Sequence, residues 1–382
     1  MWHLPRRPSL IGLTLLAVTV VTGACDRRTH VEQHASLSPS PVVWTVGAHG
    51  AILASSDGRH WPKQQSGTTK DLNGVAFADE RDGWVVGDDG VVLHTDDGGS
   101  TWQRQKAATG QSLRGIACSD ALHAWIVGGR TSASGIGGRG IILATTDGGK
   151  TWMQQRRLRG ACLVAVACAD ATLAWAVGGE SVFATSDGGA HWHLQWAPSR
   201  GARGLAFPAG LWAVGCGDAS RVWAVGSGWN ALNGMLVGEA PLWTRDGGGS
   251  WAMNKASRGQ NVFCLGRDYV WLLDVNEVMA STDGGVTWHS HFVGKHSGPF
   301  PVGGCYLVDC AFGDPVRGWT VGRKLVRPRW MRGRAMVPTA PALGPGLIFE
   351  TTDGGATWTR QALVKGFHPA AVSCAPSGSA SP

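Results

Sequence analysis

Seven aspartates recur at matching places along this chain, and a carboxylate can act as a general acid, a nucleophile or a metal ligand. They are Asp57, Asp97, Asp147, Asp187, Asp246, Asp283 and Asp353. Each sits in a box of the form Ser/Thr-x-Asp-Gly-Gly-x-Thr-Trp. The clearest copies start at Thr95, Thr145, Ser281 and Thr351. Looser copies start at Thr185 and Thr244, and a shortened one at Ser55. Seven equivalent copies argue for one structural job repeated rather than one reaction. A carboxylate in a tight turn accepts hydrogen bonds from the turn's own amides, and the Gly pair supplies positive φ. No His, Cys or carboxylate spacing resembles a metal site, so neither metal nor cofactor is expected, and the Asp residues are assigned a structural role.

The other residues that could do chemistry are tyrosines and arginines. A sialidase-type glycosidase needs a Tyr nucleophile, acidic partners and an Arg cluster for its substrate carboxylate. The chain has two tyrosines, Tyr269 and Tyr306, with Asp309 near the second. No Arg-Ile-Pro motif precedes the first repeat. Glycosidase or glycan binding is therefore the alternative reading, and a non-enzyme the main one.

The elements that must position these residues follow from a second motif, Trp-x-Val-Gly. It begins at Trp44, Trp84, Trp125, Trp175, Trp223 and Trp319, with Trp271-Leu-Leu-Asp as a variant. Seven residues before most of these Trp lies a small strand end: Phe77, Cys118, Cys168, Cys216, Cys264 or Phe312. Each unit then reads as four short strands, A to D, with B carrying Trp-x-Val-Gly and D starting at the box Trp. A period of about forty residues with short strands and Gly-rich turns points to a β-propeller. The first unit lacks strand A. The missing piece is Ala371-Val-Ser-Cys374, which follows Trp358 at the sixteen-residue offset that separates Trp61 from Phe77. The expected fold is all-β: a seven-bladed propeller of four-stranded blades, its ring closed by the C-terminal strand. Fourteen of the twenty Trp belong to the two motifs.

The termini suggest an address. Arg6 and Arg7 precede an apolar stretch that ends in Thr22-Gly-Ala-Cys25, the pattern of an export signal. Residues 1–24 are expected to be a signal peptide. Cys25 is then a lipidated first residue on a flexible tether over 25–41, with plain secretion as the alternative. The propeller is expected over 42–374 and a disordered tail over 375–382. That places the protein on the periplasmic side of the cell membrane as a lipoprotein, or outside the cell. Cys118, Cys168, Cys216, Cys264 and Cys374 take equivalent places and read as small apolar core residues. Cys162, Cys305 and Cys310 are irregular, and a disulfide among them is left open.

Asp-Gly-Gly-x-Thr-Trp is the bacterial neuraminidase repeat. The longer unit from Gly74 to Trp102 resembles the photosystem II stability/assembly factor family of seven-bladed propellers, and the resemblance spans about residues 42–374. It implies an exported, often lipid-anchored assembly factor rather than an enzyme. The chain departs from the pattern by three insertions, by Cys for Phe at strand ends and by the degenerate boxes.

The insertions, 129–140, 227–240 and 323–346, all fall between strands B and C, so they rise from one face. Long loops on a rigid scaffold carry binding. The third holds Arg323, Lys324, Arg327, Arg329, Arg332 and Arg334, with no acidic residue before Glu350. The whole chain has net charge +7, and loss of Arg6 and Arg7 with a leader leaves +5, so this loop accounts for the excess. Together with Trp229 and Trp330 it is the candidate binding site. The expected partner is an acidic protein surface or complex, with anionic lipid or glycan as alternatives. Nucleic acid is not expected, and the protein reads as a monomer.

Overall fold

The turn box builds itself from its own side chains. Thr95 Oγ1 donates to Asp97 Oδ1 at 2.8 Å and accepts the Gly99 amide at 2.8 Å. Asp97 also takes the Thr101 amide at 2.9 Å and the Thr101 hydroxyl at 2.7 Å. Gly98 and Gly99 sit at φ +71° and +85°, where an L side chain is strained. The same bonds recur around Asp147, Asp187, Asp246, Asp283 and Asp353. In the two departures His60 and His191 replace the box Thr and hold Asp57 and Asp187 through Nδ1. The opening Ser or Thr is thus as much part of the turn as the Asp. Strand D starts just after the box Trp, at Gln103 behind Trp102 for example.

A computed structural model describes residues 42–131, 138–198, 210–230, 235–238, 241–293, 305–325 and 343–375. Its strands form seven antiparallel sheets. Pro369–Cys374, Val43–Gly47, Ala51–Ser55 and Lys63–Gln64 make blade one. Blade two runs from Leu72–Phe77 to Gln103–Lys106, blade three from Leu113–Cys118 to Met153–Arg159 and blade four from Ala165–Cys168 to His193–Trp196. Blades five, six and seven begin at Leu211–Cys216, Asn261–Leu265 and Cys305–Phe312. The innermost strand of blade one is the C-terminal one: Trp44 pairs with Ser373 and Val43 with Cys374. This removes an open sheet edge that would otherwise be left.

Between blades the strand-B Trp are the core, all 2 % exposed or less. Each lies against the next blade. Trp44 stacks on Phe77 and Trp271 on Phe312, with centroids 3.4 and 3.7 Å apart. These two indoles reach the next box, donating to Gly98 O and Gly354 O. In four of the five places where the next blade carries Cys, beside Trp84, Trp125, Trp175 and Trp319, the indole Nε1 is buried without an acceptor.

A second inter-blade link comes from the residue three beyond the box Trp. Gln64, Gln105 and Gln155 accept from the next blade's box Trp at 2.9–3.0 Å. Gln105 and Gln155 also donate to the next box through Gly148 O and Gly188 O. The repeat spacing carries this Gln, but the motif reading stopped at the Trp.

Candidate functional site

The A–B turns dock on the boxes: Gly98 N bonds Arg81 O and Gly148 N bonds Leu122 O. The B–C ends of the strands, with the described parts of the insertions, therefore lie at the opposite face. In blade three the insertion extends strands B and C into eight-residue arms, Ala124–Thr131 and Gly138–Thr145. In blade five it adds a short strand, Met235–Gly238, against Val222–Asn230. In blade seven it grows from Gly318–Leu325 and Leu343–Thr351.

The ring encloses a channel of about 660 Å³ walled by the seven innermost strands. β-Bulges interrupt the ladder at Asn73, Arg114, Trp212 and Val308, and bulges re-aim side chains. Asn73, Arg114 and Trp212 line the channel near its B–C mouth, and Trp212 is 50 % exposed. The Nε of Arg114 is buried without a partner.

The five equivalent cysteines pack between blades as small apolar core residues, each in the cluster of the preceding strand-B Trp, and their strand ends also border the channel. Cys118, Cys168, Cys216 and Cys264 keep some surface open and Cys374 is buried. Loss of solvent around the sulfur pushes the Cys118 and Cys216 thiols up to about 12, so they stay protonated. Cys162, Cys305 and Cys310 are free. Among the described residues no group of three or more His, Cys, Asp or Glu is arranged to hold a metal.

Of the predicted basic loop, the structure places two residues. Arg323 is half-buried, and its Nη2 donates to Pro369 O of blade one at 3.3 Å. Its Nε is buried without a partner, and desolvation lowers its pKa. Lys324 is exposed. Arg327, Arg329, Trp330, Arg332, Arg334 and Cys25 lie outside the described residues, as does the side chain of Trp229. Tyr306 opposes Arg323 across the strand pair, and its hydroxyl donates to Gln260 Oε1 at 2.9 Å. Asp309 is enclosed in the wall. Its carboxylate accepts from Cys310 N, Asn261 Nδ2 and Val372 N at 2.9–3.0 Å, yet burial pushes it up to about 7. Tyr306 and Asp309 are thus each engaged with the scaffold.

A second basic feature escaped the sequence reading. Arg130, Arg139 and Arg159 are direct cross-strand partners in blade three, a row of three like charges on one face of the sheet. All three are exposed. Such partners stand about 5 Å apart at Cβ and like charges there are destabilising. Arg157, two residues from Arg159, is on the same face, and Arg156 is exposed too. None of these arginines forms an ion pair among the described residues. The signal was present in sequence: Arg130 and Arg139 bracket the first insertion and Arg159 ends the strand behind it. Seeing the row needed the register.

Residues 54–204 match the family model of the photosynthesis system II assembly factor YCF48. Among curated proteins none matches the sequence. A solved structure of YCF48 bound to D1 peptide superposes with TM-score 0.51 at 17% identity, over 85% of this chain and 86% of that one. YCF48 from Cyanidioschyzon merolae gives TM-score 0.52 at 20% identity, over 78% and 87%. A GH74 xyloglucanase from Xanthomonas campestris gives 0.49 at 11% identity, over 84% and 65%, too distant to carry an argument.

Proposed function

We propose that this seven-bladed propeller, whose residues 54–204 match the family model of the photosynthesis system II assembly factor YCF48, is a non-catalytic scaffold that holds a protein partner on its B–C face during assembly of a complex. The observation that carries this reading is the unneutralised positive charge gathered there: the Arg130–Arg139–Arg159 row in blade three and Arg323 with Lys324 in blade seven. A row of like charges costs stability in the free protein and is relieved by an acidic partner. A YCF48 structure holding a D1 peptide supports a peptide-binding use of this kind of ring. The proposed binding set also contains Trp229, Arg327, Arg329, Trp330, Arg332 and Arg334. The protein is exported and tethered to the membrane through lipidated Cys25, with residues 42–374 as the working domain.

The test is capture of partners from the native membranes by the mature chain. Ser at Arg327, Arg329, Arg332 and Arg334, or at Arg139 and Arg159, should leave the melting temperature near its parent value and reduce capture, with the difference from the parent largest at low salt. Equal capture by both variants would refute the reading. Cys25→Ser should release the protein from membranes. Its retention there would refute the anchor alone.

A further inference from the structure

The outermost strand of blade three, Met153–Arg159, is the longest outer strand of the ring: seven residues, against two to six in the other blades. One side pairs with Gly138–Thr145, and the other pairs with no described strand. A long open edge is a template for another strand, and proteins commonly blunt it with charge. Here the charge has one sign and an ordered placement. Arg157 and Arg159 project to the same face two residues apart, and Arg159 ends the row begun by Arg130 and Arg139. A second copy of this strand would be repelled. A strand carrying carboxylates at alternate positions would not.

We propose that this edge accepts an extended acidic segment of a partner as a fifth strand of blade three. The proposal rests on the basic-face reading above and specifies its mode. Main-chain hydrogen bonds to the open edge supply affinity, and alternate side chains supply selection. Acidic residues opposite Arg157 and Arg159 stand in line with the arginine row, adding anions next to cations across the sheet. The segment is thereby distinguished from a merely anionic surface, which needs no free amides and no alternation.

The experiment uses the mature full chain and three probes. They are an eight-residue peptide alternating Thr and Glu, the same peptide N-methylated at every residue, and vesicles containing phosphatidylglycerol. The first peptide should bind, slow amide exchange along residues 153–159, and bind roughly tenfold more weakly to the R157S/R159S variant, the loss expected from two exposed charge pairs. The N-methylated peptide should fail to bind. An unchanged melting temperature of the variant shows that it is folded. Equal binding of the N-methylated peptide, or unaltered exchange at 153–159, overturns strand addition while leaving a basic interaction face in place. Capture of vesicles through the same arginines without peptide binding overturns it in favour of a lipid surface. Failure of all three probes removes both the mode and the role of this row.

Discussion

The carboxylate of Asp309 accepts the backbone N–H of Val372 at 2.9 Å, so blade seven grips the strand that completes blade one. Its other oxygen takes Asn261 of blade six and the Cys310 amide. One side chain therefore joins three blades where the ring closes. Its neighbour Cys310 is a buried thiol.

Asp309 has a folded pKa raised to about 7, with burial as the first cause. A raised carboxyl favours folding while protonated, so its contribution is full below about pH 4, the unfolded value, and is lost as pH rises towards 7. Asp309→Asn should abolish that part of the pH dependence and keep the Val372 contact through its amide oxygen. Melting curves from pH 4 to 8 check this. An identical slope in the variant would show that the carboxylate is not the source.

The boxes titrate in the opposite sense. Asp97 and Asp147 are held down to about 2, Asp97 chiefly by the Thr101 amide and Asp147 chiefly by the Thr151 hydroxyl. Depressed carboxylates stabilise the fold above about pH 4, and that support disappears as pH falls through 2. Asp97→Asn should flatten the acid limb of the stability curve, read by tryptophan fluorescence between pH 5 and 2.

Removing the box hydroxyl tests the turn without touching charge. Thr145→Ala leaves the buried Gly149 amide without its 2.8 Å acceptor. A loss of about 1–3 kcal/mol is expected, measurable by urea unfolding.

Deletion of residues 369–375 removes the innermost strand of blade one, including the Ala375 N to Val42 O bond. It bares the inner edge of Val43–Gly47 and removes the strand packed between blades seven and two, so the whole ring should melt earlier rather than one blade fraying. A truncated chain with the parent melting temperature would contradict closure at this strand.

Arg139 stands between Arg130 and Arg159. Arg139→Ser should raise stability by a few tenths of a kcal/mol, because like charges directly opposite are unfavourable. An exposed arginine whose removal stabilises the fold yet weakens partner capture would separate binding from folding.

Blade number, strand order and ring closure were legible because each repeat carries its own turn chemistry, and because the Trp358-to-Cys374 offset matches that of Trp61 to Phe77. So was the place of the five cysteines, which fill between blades the strand-end position that Phe77 and Phe312 fill elsewhere. The arginine row was invisible. Arg130, Arg139 and Arg159 become neighbours only through register, which a long insertion hides. The Gln link was written in plain sight at a fixed offset, but a polar residue on an outer strand reads as solvent-facing until the next blade is placed against it.

That link is not uniform around the ring. Gln64, Gln105 and Gln155 clamp blades one to four to one another. At the next seam Gln195 Oε1 and Trp251 Nε1, which should meet, are both buried and unpartnered. Beyond it Asn254 replaces Gln: its Nδ2 donates to Gly285 O, but its Oδ1 accepts from Ala256 N of its own blade rather than from the next box Trp. The ring is thus held by two chemistries: amide-to-indole links between blades one and four, and at the closing seam a buried carboxylate that ties blades six, seven and one. Only the second carries a titratable group.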